Sequence, residues 1–286
     1  MGNYYYLISG LANISPDDDR LPYGVDWLRE ELLPSLSEGD RKLVLMALEK
    51  YDRTNLLYVL SQEKNGGDSV PDSDRPVGFY SLEQFAELIR CTRNGEPCKG
   101  LPEYMYRFAS EFQKDEWQKY ARFPEDRLAA LFYGYADGVG NKFVREWFGF
   151  NRNMDNILTA MVARRHSLPV QTMIVGDDDV AVALRTSAAR DWGLSQTLDC
   201  FDRLARLDDE TDLVKREREK DMIRWNWLDE NTFFHYFGVE RIFAFVVRMD
   251  IVDRWLKLDR ELGQKLFRSL IYGFKDNVEI PREFME

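Results

Sequence analysis

The sequence predicts an all-α protein. Apolar residues recur at helical spacing from residue 28 to residue 256, alternating apolar and polar residues are nearly absent, and helix-start signatures punctuate the chain. With 286 residues, 44% of them hydrophobic, the chain is long enough for a sizeable core, in one large domain or two ordinary ones.

Residues 4–8 form a short apolar stretch that suits either a strand or a helix end. Asp17, Asp18 and Asp19, behind Pro16, read as a turn or a helix start. Leu28, Leu32, Leu33 and Leu36 then form the stripe of an amphipathic helix spanning 25–50. Residues 63–78, EKNGGDSVPDSDRPVG, are dominated by Gly, Pro, Ser and Asp and predict an exposed loop. Ser81-Leu82-Glu83-Gln84 has the capping-box form and leads into Phe85, Leu88 and Ile89. Pro124, with Glu125 and Asp126 as first-turn acids, opens a helix over 124–147 carrying Leu128, Leu131, Phe132 and Tyr135. These signals divide the chain into an N-terminal helical unit, 1–123, and C-terminal helical units, 124–286, packed on the first.

The stretch FNRNMDNILTAMVARR, 150–165, is the most informative. Asn and Asp crowd 151–156, directly before Ile157, Leu158, Met161 and Val162. Their side chains accept hydrogen bonds from first-turn amides, so the cluster reads as an N-cap. Arg164 and Arg165 fall at the C-terminal end, where positive charge complements the helix dipole. There the pair either helps shape a rim facing an acidic partner or merely decorates the helix end. Residues 171–175 are a second short strand or helix end, and Asp177, Asp178 and Asp179 cap a helix beginning near Val180. Ser195 reads as the N-cap of a segment with Leu198, Phe201 and Ala205. That segment runs, with a break at Asp208-Asp209, through the mixed-charge face 215–220 to Trp227. Val239, Ile242, Phe243, Val246, Met249 and Leu256 define the last helix.

Composition narrows the function. Fifty acidic against 39 basic residues give a net charge of −11, the wrong sign for gripping phosphate backbones or anionic lipid. A basic protein partner is the kind such a surface attracts. No apolar run approaches the roughly 20 residues of a membrane span. The N-terminus has no Lys or Arg ahead of its apolar run, and Tyr6 stands where myristoylation needs Ser or Thr, so a cytoplasmic location is expected. Cys91 and Cys98 have the spacing C-x6-C and Cys200 stands alone, a pattern of reduced thiols. His166 and His235 are the only histidines, neither with a neighbour at ligand spacing. The G-x-G of Gly138-Val139-Gly140 lacks a third glycine, a preceding strand and a P-loop lysine. No nucleophile elbow and no H-E-x-x-H occurs, so neither catalytic residues, cofactor nor metal are expected.

An internal echo adds to this. Asp52, two residues, Asn55, Leu56, Leu57 parallels Asn153, two residues, Asn156, Ile157, Leu158, each following a helical segment. Repeated helical units that bury one another's faces are its structural meaning. The second copy, with Asn156, Ile157, Thr159 and Arg164, resembles the repeated motif of the C-type (also called d-type) subunit of V-type and A-type ATPases. Asn153 replaces the usual Asp there, and Val162 an Arg. The first copy keeps Asp52, Asn55 and Leu56 without the basic residues. Glu240, Ile242, Ala244, Phe245 and Asp250 resemble that family's last helix, and Tyr4-Tyr5-Tyr6-Leu7, Leu11 and Leu21-Pro22-Tyr23 resemble a bacterial family encoded beside V-type ATPase genes. The resemblance implies an elongated or funnel-like array of repeated helical units. Its implied role is a non-catalytic coupling subunit that carries torque between the soluble central stalk and the membrane rotor ring. It binds no nucleotide and needs no cofactor. Contact with the membrane's cytoplasmic face runs through proteins only. A helical scaffold unrelated to the ATPase, and a metal-dependent hydrolase using Asp177, Asp178 and Asp179 with distant acids brought close by folding, are the alternatives from other classes.

Overall fold

Residues 4–64 and 78–277 are described by the computed structural model, with side chains as far as Asp259. Among them are twelve α-helices and no strand. In order these are α1 (Tyr5–Ser9), α2 (Val25–Trp27), α3 (Glu38–Met46), α4 (Glu49–Lys64), α5 (Leu82–Asn94), α6 (Glu103–Gln113), α7 (Pro124–Asp137), α8 (Lys142–Arg165), α9 (Asp179–Thr186), α10 (Phe201–Asp209), α11 (Leu213–Thr232) and α12 (Val239–Asn277). Neither stretch that suited strand or helix end is a strand: 4–8 enters α1, while 171–175 starts in the 3-10 turn Val170–Thr172 and leaves regular structure by 174.

Local chemistry sets most boundaries. Ser81 and Gln84 form the capping box that opens α5, and Gly95, at φ 68°, closes it in the left-handed region open to glycine. Pro124 begins α7. Asp178 caps α9 by accepting from the Ala181 amide at 2.8 Å.

Three boundaries differ from expectation. The helix expected over 25–50 is broken: α2 passes into a π turn, Leu28–Leu32, and a 3-10 turn, Leu33–Ser35, containing Pro34. Proline offers no amide to continue the ladder, and Ser37 restarts the chain by capping α3. The helix over 124–147 stops at Asp137, because Gly138, Val139 and Gly140 form a turn and Asn141 begins anew. Ser195 caps nothing. Its hydroxyl donates to Asp191 at 2.5 Å within a run of turns, and α10 begins only at Phe201. The break expected at Asp208-Asp209 falls just after it, where Asp212 caps α11 by accepting from Val214 and Lys215. The expected loop 63–78 lies almost wholly on 65–77, outside the described residues.

Three apolar clusters hold the helices. The largest joins α4, α5, α6 and α7 to the first half of α8, to α11 and to α12, with Phe85, Phe108, Phe132 and Phe243 fully enclosed. It draws on both sides of residue 123. A second cluster packs the C-terminal half of α8 (Met154, Ile157, Ala160) against α9, α10 and Ile223 of α11. A third seats Leu28, Leu32, Leu33 and Val44 on Val239, Ile242 and Val246 of α12. Thus α12 touches two of the three clusters.

Candidate functional site

The polar residues singled out in the sequence sit where helices meet. On α4, Asp52 is buried, and its Oδ1 accepts from the backbone amides of Phe79 (2.8 Å) and Tyr80 (3.0 Å). Those amides lie in the segment entering α5, so one carboxylate fastens that segment to the flank of α4. The approach is close: a Cβ on Gly78 would lie 2.2 Å from Asp52 Oδ1 and 2.7 Å from Asn55 Nδ2. Any larger residue there would push the Asp52 and Asn55 side chains aside. Burial pushes the Asp52 carboxyl up to about 6, against the opposing pull of the two amides.

One turn earlier Glu49 is enclosed, accepting a hydrogen bond from the Tyr104 hydroxyl of α6. Burial pushes its carboxyl up to about 7. Its other oxygen, Oε2, makes no hydrogen bond among the described residues.

Asn156 plays a comparable part on α8. It is no cap. The helix runs unbroken from Lys142, and its N-cap is Asn141, which accepts from the Val144 amide at 3.1 Å. Asn and Asp cost only tenths of a kcal/mol inside a helix, so a polar cluster need not mark its start. Asn156 is 3% exposed. Its Nδ2 donates to the Val175 carbonyl (2.7 Å), and its Oδ1 accepts from the Val175 amide (2.9 Å). One turn earlier, Arg152 donates to Asp137 at the end of α7 (2.5 Å) and to Asp178 at the start of α9 (2.9 Å). Gly176 lies between at φ 87°, where a Cβ would press to 3.0 Å from Arg152 Nε.

Asn156→Ala is expected to cost about 2 kcal/mol, since a partly buried amide and carbonyl lose their partners together. Asn156→Asp should recover little, because a carboxylate cannot donate to the Val175 carbonyl and buries a charge. Chemical denaturation of both variants measures this. A loss near 1 kcal/mol in the first would match an ordinary cap instead.

The paired arginines are not a free rim. Arg164 donates to the carbonyls of Arg190 (2.6 Å) and Ala189 (3.0 Å), and its guanidinium lies 3.7 Å from the Trp192 ring centroid. Arg165 donates to the Asp208 carbonyl (2.7 Å) and pairs with the Asp208 carboxylate (2.5 Å). The C-terminal carbonyls of a helix favour cations, and here the turns after α9 and the end of α10 capture those cations a second time. Arg164→Glu should therefore destabilise by about 1–2 kcal/mol, read from denaturant midpoints, through lost carbonyl bonds and lost stacking on Trp192.

The remaining candidates lie on α8 and α12. Asn153 and Thr159 are half-buried on α8, and Asn153 Oδ1 is enclosed without a hydrogen bond among the described residues. Glu240 is buried and accepts from Asn141 Nδ2 at 2.8 Å, which ties α12 to the start of α8. Asp250 accepts from Lys50 and the Tyr51 hydroxyl, which ties α12 to α4 beside Asp52. So Asp250 and Asp52 flank the same turn of α4, Glu240 meets the cap of α8, and the Asn156 contacts lie farther along that helix. The candidates do not converge on one concavity.

Asp177 and Asp178 are occupied by Arg185 (3.0 Å) and Arg152. No group of three or more His, Cys, Asp or Glu is placed to hold a metal among the described residues. No described helix is long and apolar enough to cross a membrane.

Sequence reasoning passes over Arg152, Asn141, Glu49 and Asp221. Arg152 carries a signal, a polar residue on the helix face that turns inward, and Asn141 carries one as a cap-forming residue directly before a helix. Asp221, within an evenly charged stretch, carries none.

Such contacts define an all-helical protein in which buried polar side chains fasten one helix to the next. The chain belongs to the family described as Protein of unknown function (DUF2764), which matches residues 1–278. No curated protein and no solved structure matches it.

Proposed function

We propose that this chain is a non-catalytic coupling subunit of a bacterial V-type or A-type rotary ATPase, placed between the central stalk and the membrane rotor ring on the cytoplasmic side. The observation that carries the reading is the clamping of α12 onto both motif-bearing helices, through Asp250 to Lys50 and Tyr51 of α4 and through Glu240 to Asn141 at the head of α8. A part that transmits load needs helices that do not slide on one another, and buried bonds between helices supply that stiffness. The residues carrying the resemblance are used in this way: Asp52 and Asn156 each hold the segment that enters the following helix. On this reading α4 and α8 are corresponding helices of a repeated unit in a funnel-like array, with Asp52 aligned to Asn153 and Asn55 to Asn156.

Deleting the gene in a strain whose rotary ATPase can be isolated tests the proposal. The expected result is a complex that still hydrolyses ATP in its soluble head but no longer couples hydrolysis to ion movement across the membrane, with the tagged chain copurifying with stalk and ring subunits when restored. Normal coupling in the deletion strain, or a tagged chain that never copurifies with those subunits, would overturn it.

A further inference from the structure

Six aromatic side chains stand out into solvent where α1 meets the turn between α11 and α12. They are Tyr5, Tyr6, Phe233, Phe234, Tyr236 and Phe237, with Tyr6 90% and Phe234 79% exposed. Their grouping is built. The Tyr4 amide donates to the Phe237 carbonyl at 3.0 Å, and the Tyr5 and Phe237 rings lie 4.8 Å apart. Tyr4 is fixed in turn by its hydroxyl, which donates to Asp40 at 2.6 Å. On the other side the His235 amide donates to the Thr232 carbonyl (2.9 Å), and its ring packs on Phe143. Isolated exposed apolar residues are ordinary, but a ridge of large rings held by the fold marks an interaction surface. Aromatic anchors that are already ordered lose little entropy on binding.

Charge around the ridge selects the partner. The two segments that form it carry no Lys or Arg: none occurs before Arg20 and none between Arg224 and Arg241. Glu230 is exposed beside it, as is Asp229, which also pairs with Arg248 of α12 (2.5 Å). The whole chain carries −11. Two copies brought together at this ridge would set acids against acids, and an anionic lipid surface would be repelled. An apolar stripe flanked by positive charge satisfies both features. We propose that the ridge is a docking surface for a protein partner that presents a basic amphipathic helix, its apolar side on the rings and its Lys and Arg over the flanking acids. The proposal stands apart from the rotary-ATPase reading and does not depend on it.

Titration calorimetry of the full chain with a synthetic amphipathic helical peptide of leucine and lysine tests it. The parallel probes are the leucine–glutamate counterpart and phosphatidylcholine vesicles. The expected result is saturable binding of the lysine peptide alone, weakened by ~tenfold or more in Phe233→Ser with Phe234→Ser. It should be unchanged in Leu213→Ser with Val214→Ser, which removes exposed apolar side chains elsewhere. Circular dichroism confirms the fold of each variant, and Tyr6→Ser, at the most exposed position, serves should the double variant unfold. Equal binding by ridge variant and wild type, or equal loss in both variants, would show attraction to general acidity and overturn the proposal. So would preferred binding of the glutamate peptide or the vesicles. A concentration-dependent dimer lost with the ridge substitutions would assign the surface to a second copy and likewise overturn it.

Discussion

Asp221→Ala is expected to destabilise the protein by about 3–4 kcal/mol, a larger loss than Asn156→Ala or Arg164→Glu should give. Asp221 is buried on α11. It accepts from the indole Nε1 of Trp255 at 2.8 Å, from Arg224 at 3.2 Å and from Arg254. Trp255 and Arg254 belong to α12, so a single carboxylate joins the two long C-terminal helices. Alanine would leave a buried indole N–H without an acceptor and two guanidinium groups without their shared counter-ion. The arginines keep partial access to water, and Arg224 retains its bond to Asn151 Oδ1 at 2.8 Å, which holds the expected loss below the upper end for buried pairs. Asp221→Asn should lose about half as much, because its amide oxygen still serves Trp255. Denaturant unfolding of both variants measures the difference. Equal losses would show that the charge alone, and not the acceptor offered to Trp255, holds the two helices together.

That contact shows which parts of the structure were legible in the sequence. Apolar periodicity is repeated along a helix, so Val239, Ile242, Phe243 and Val246 announce α12 several times over. The Ser81 box and Pro124 are also local signals, complete within four residues, and both appear where they were expected. Helix ends set by competition are harder. Pro34 against the Leu stripe of 25–50, or Gly138 to Gly140 against the stripe of 124–147, depend on whether packing outweighs a weak local breaker. The partners of buried polar residues are hardest. Asn156 and its partner Val175 are separated by a turn and a 3-10 segment, and Asp250 meets Tyr51 from the far end of the chain. A single sequence shows that Asn156 is polar and lies beside apolar neighbours. It does not show whether the side chain caps its own helix or reaches across to another backbone, since the same hydrogen-bonding groups serve both. Arg164 illustrates the reverse case, where a residue read as a free surface charge is taken up by Trp192 and two carbonyls.

Raising the pH from about 5 to about 8 is expected to lower the stability of the folded protein by about 3 kcal/mol, principally through Glu49. Burial raises its carboxyl from 4.5 to about 7, while the Tyr104 hydroxyl and Arg53 pull the other way and Asp52 adds to the rise. The folded state therefore holds this proton more tightly than the unfolded chain does. Such a group contributes stability that is fully present below the unfolded value, near 4.5, and is lost as pH climbs through about 7. Asp52, raised from 3.8 to about 6, acts with the same sign in a lower window. Acids held below their ordinary range, Glu111 among them, lose stability in the opposite direction, but only as pH falls below about 4.5. The interval between about 5 and about 8 is thus governed by carboxyls held above their ordinary range, Glu49 and Asp52 of α4 foremost. Asp126 of α7, raised by burial and by Glu125, acts in the same direction. Glu49→Gln keeps an oxygen to accept from Tyr104 and removes its own titration, so only the smaller fall due to Asp52, confined to the lower part of that interval, should remain. The variant should exceed the wild type in stability at about pH 8. Unfolding free energies measured at several pH values decide the matter. A wild-type curve that is flat or rises toward the alkaline end, or a glutamine variant that keeps the full wild-type slope, would show that Glu49 does not carry the dependence.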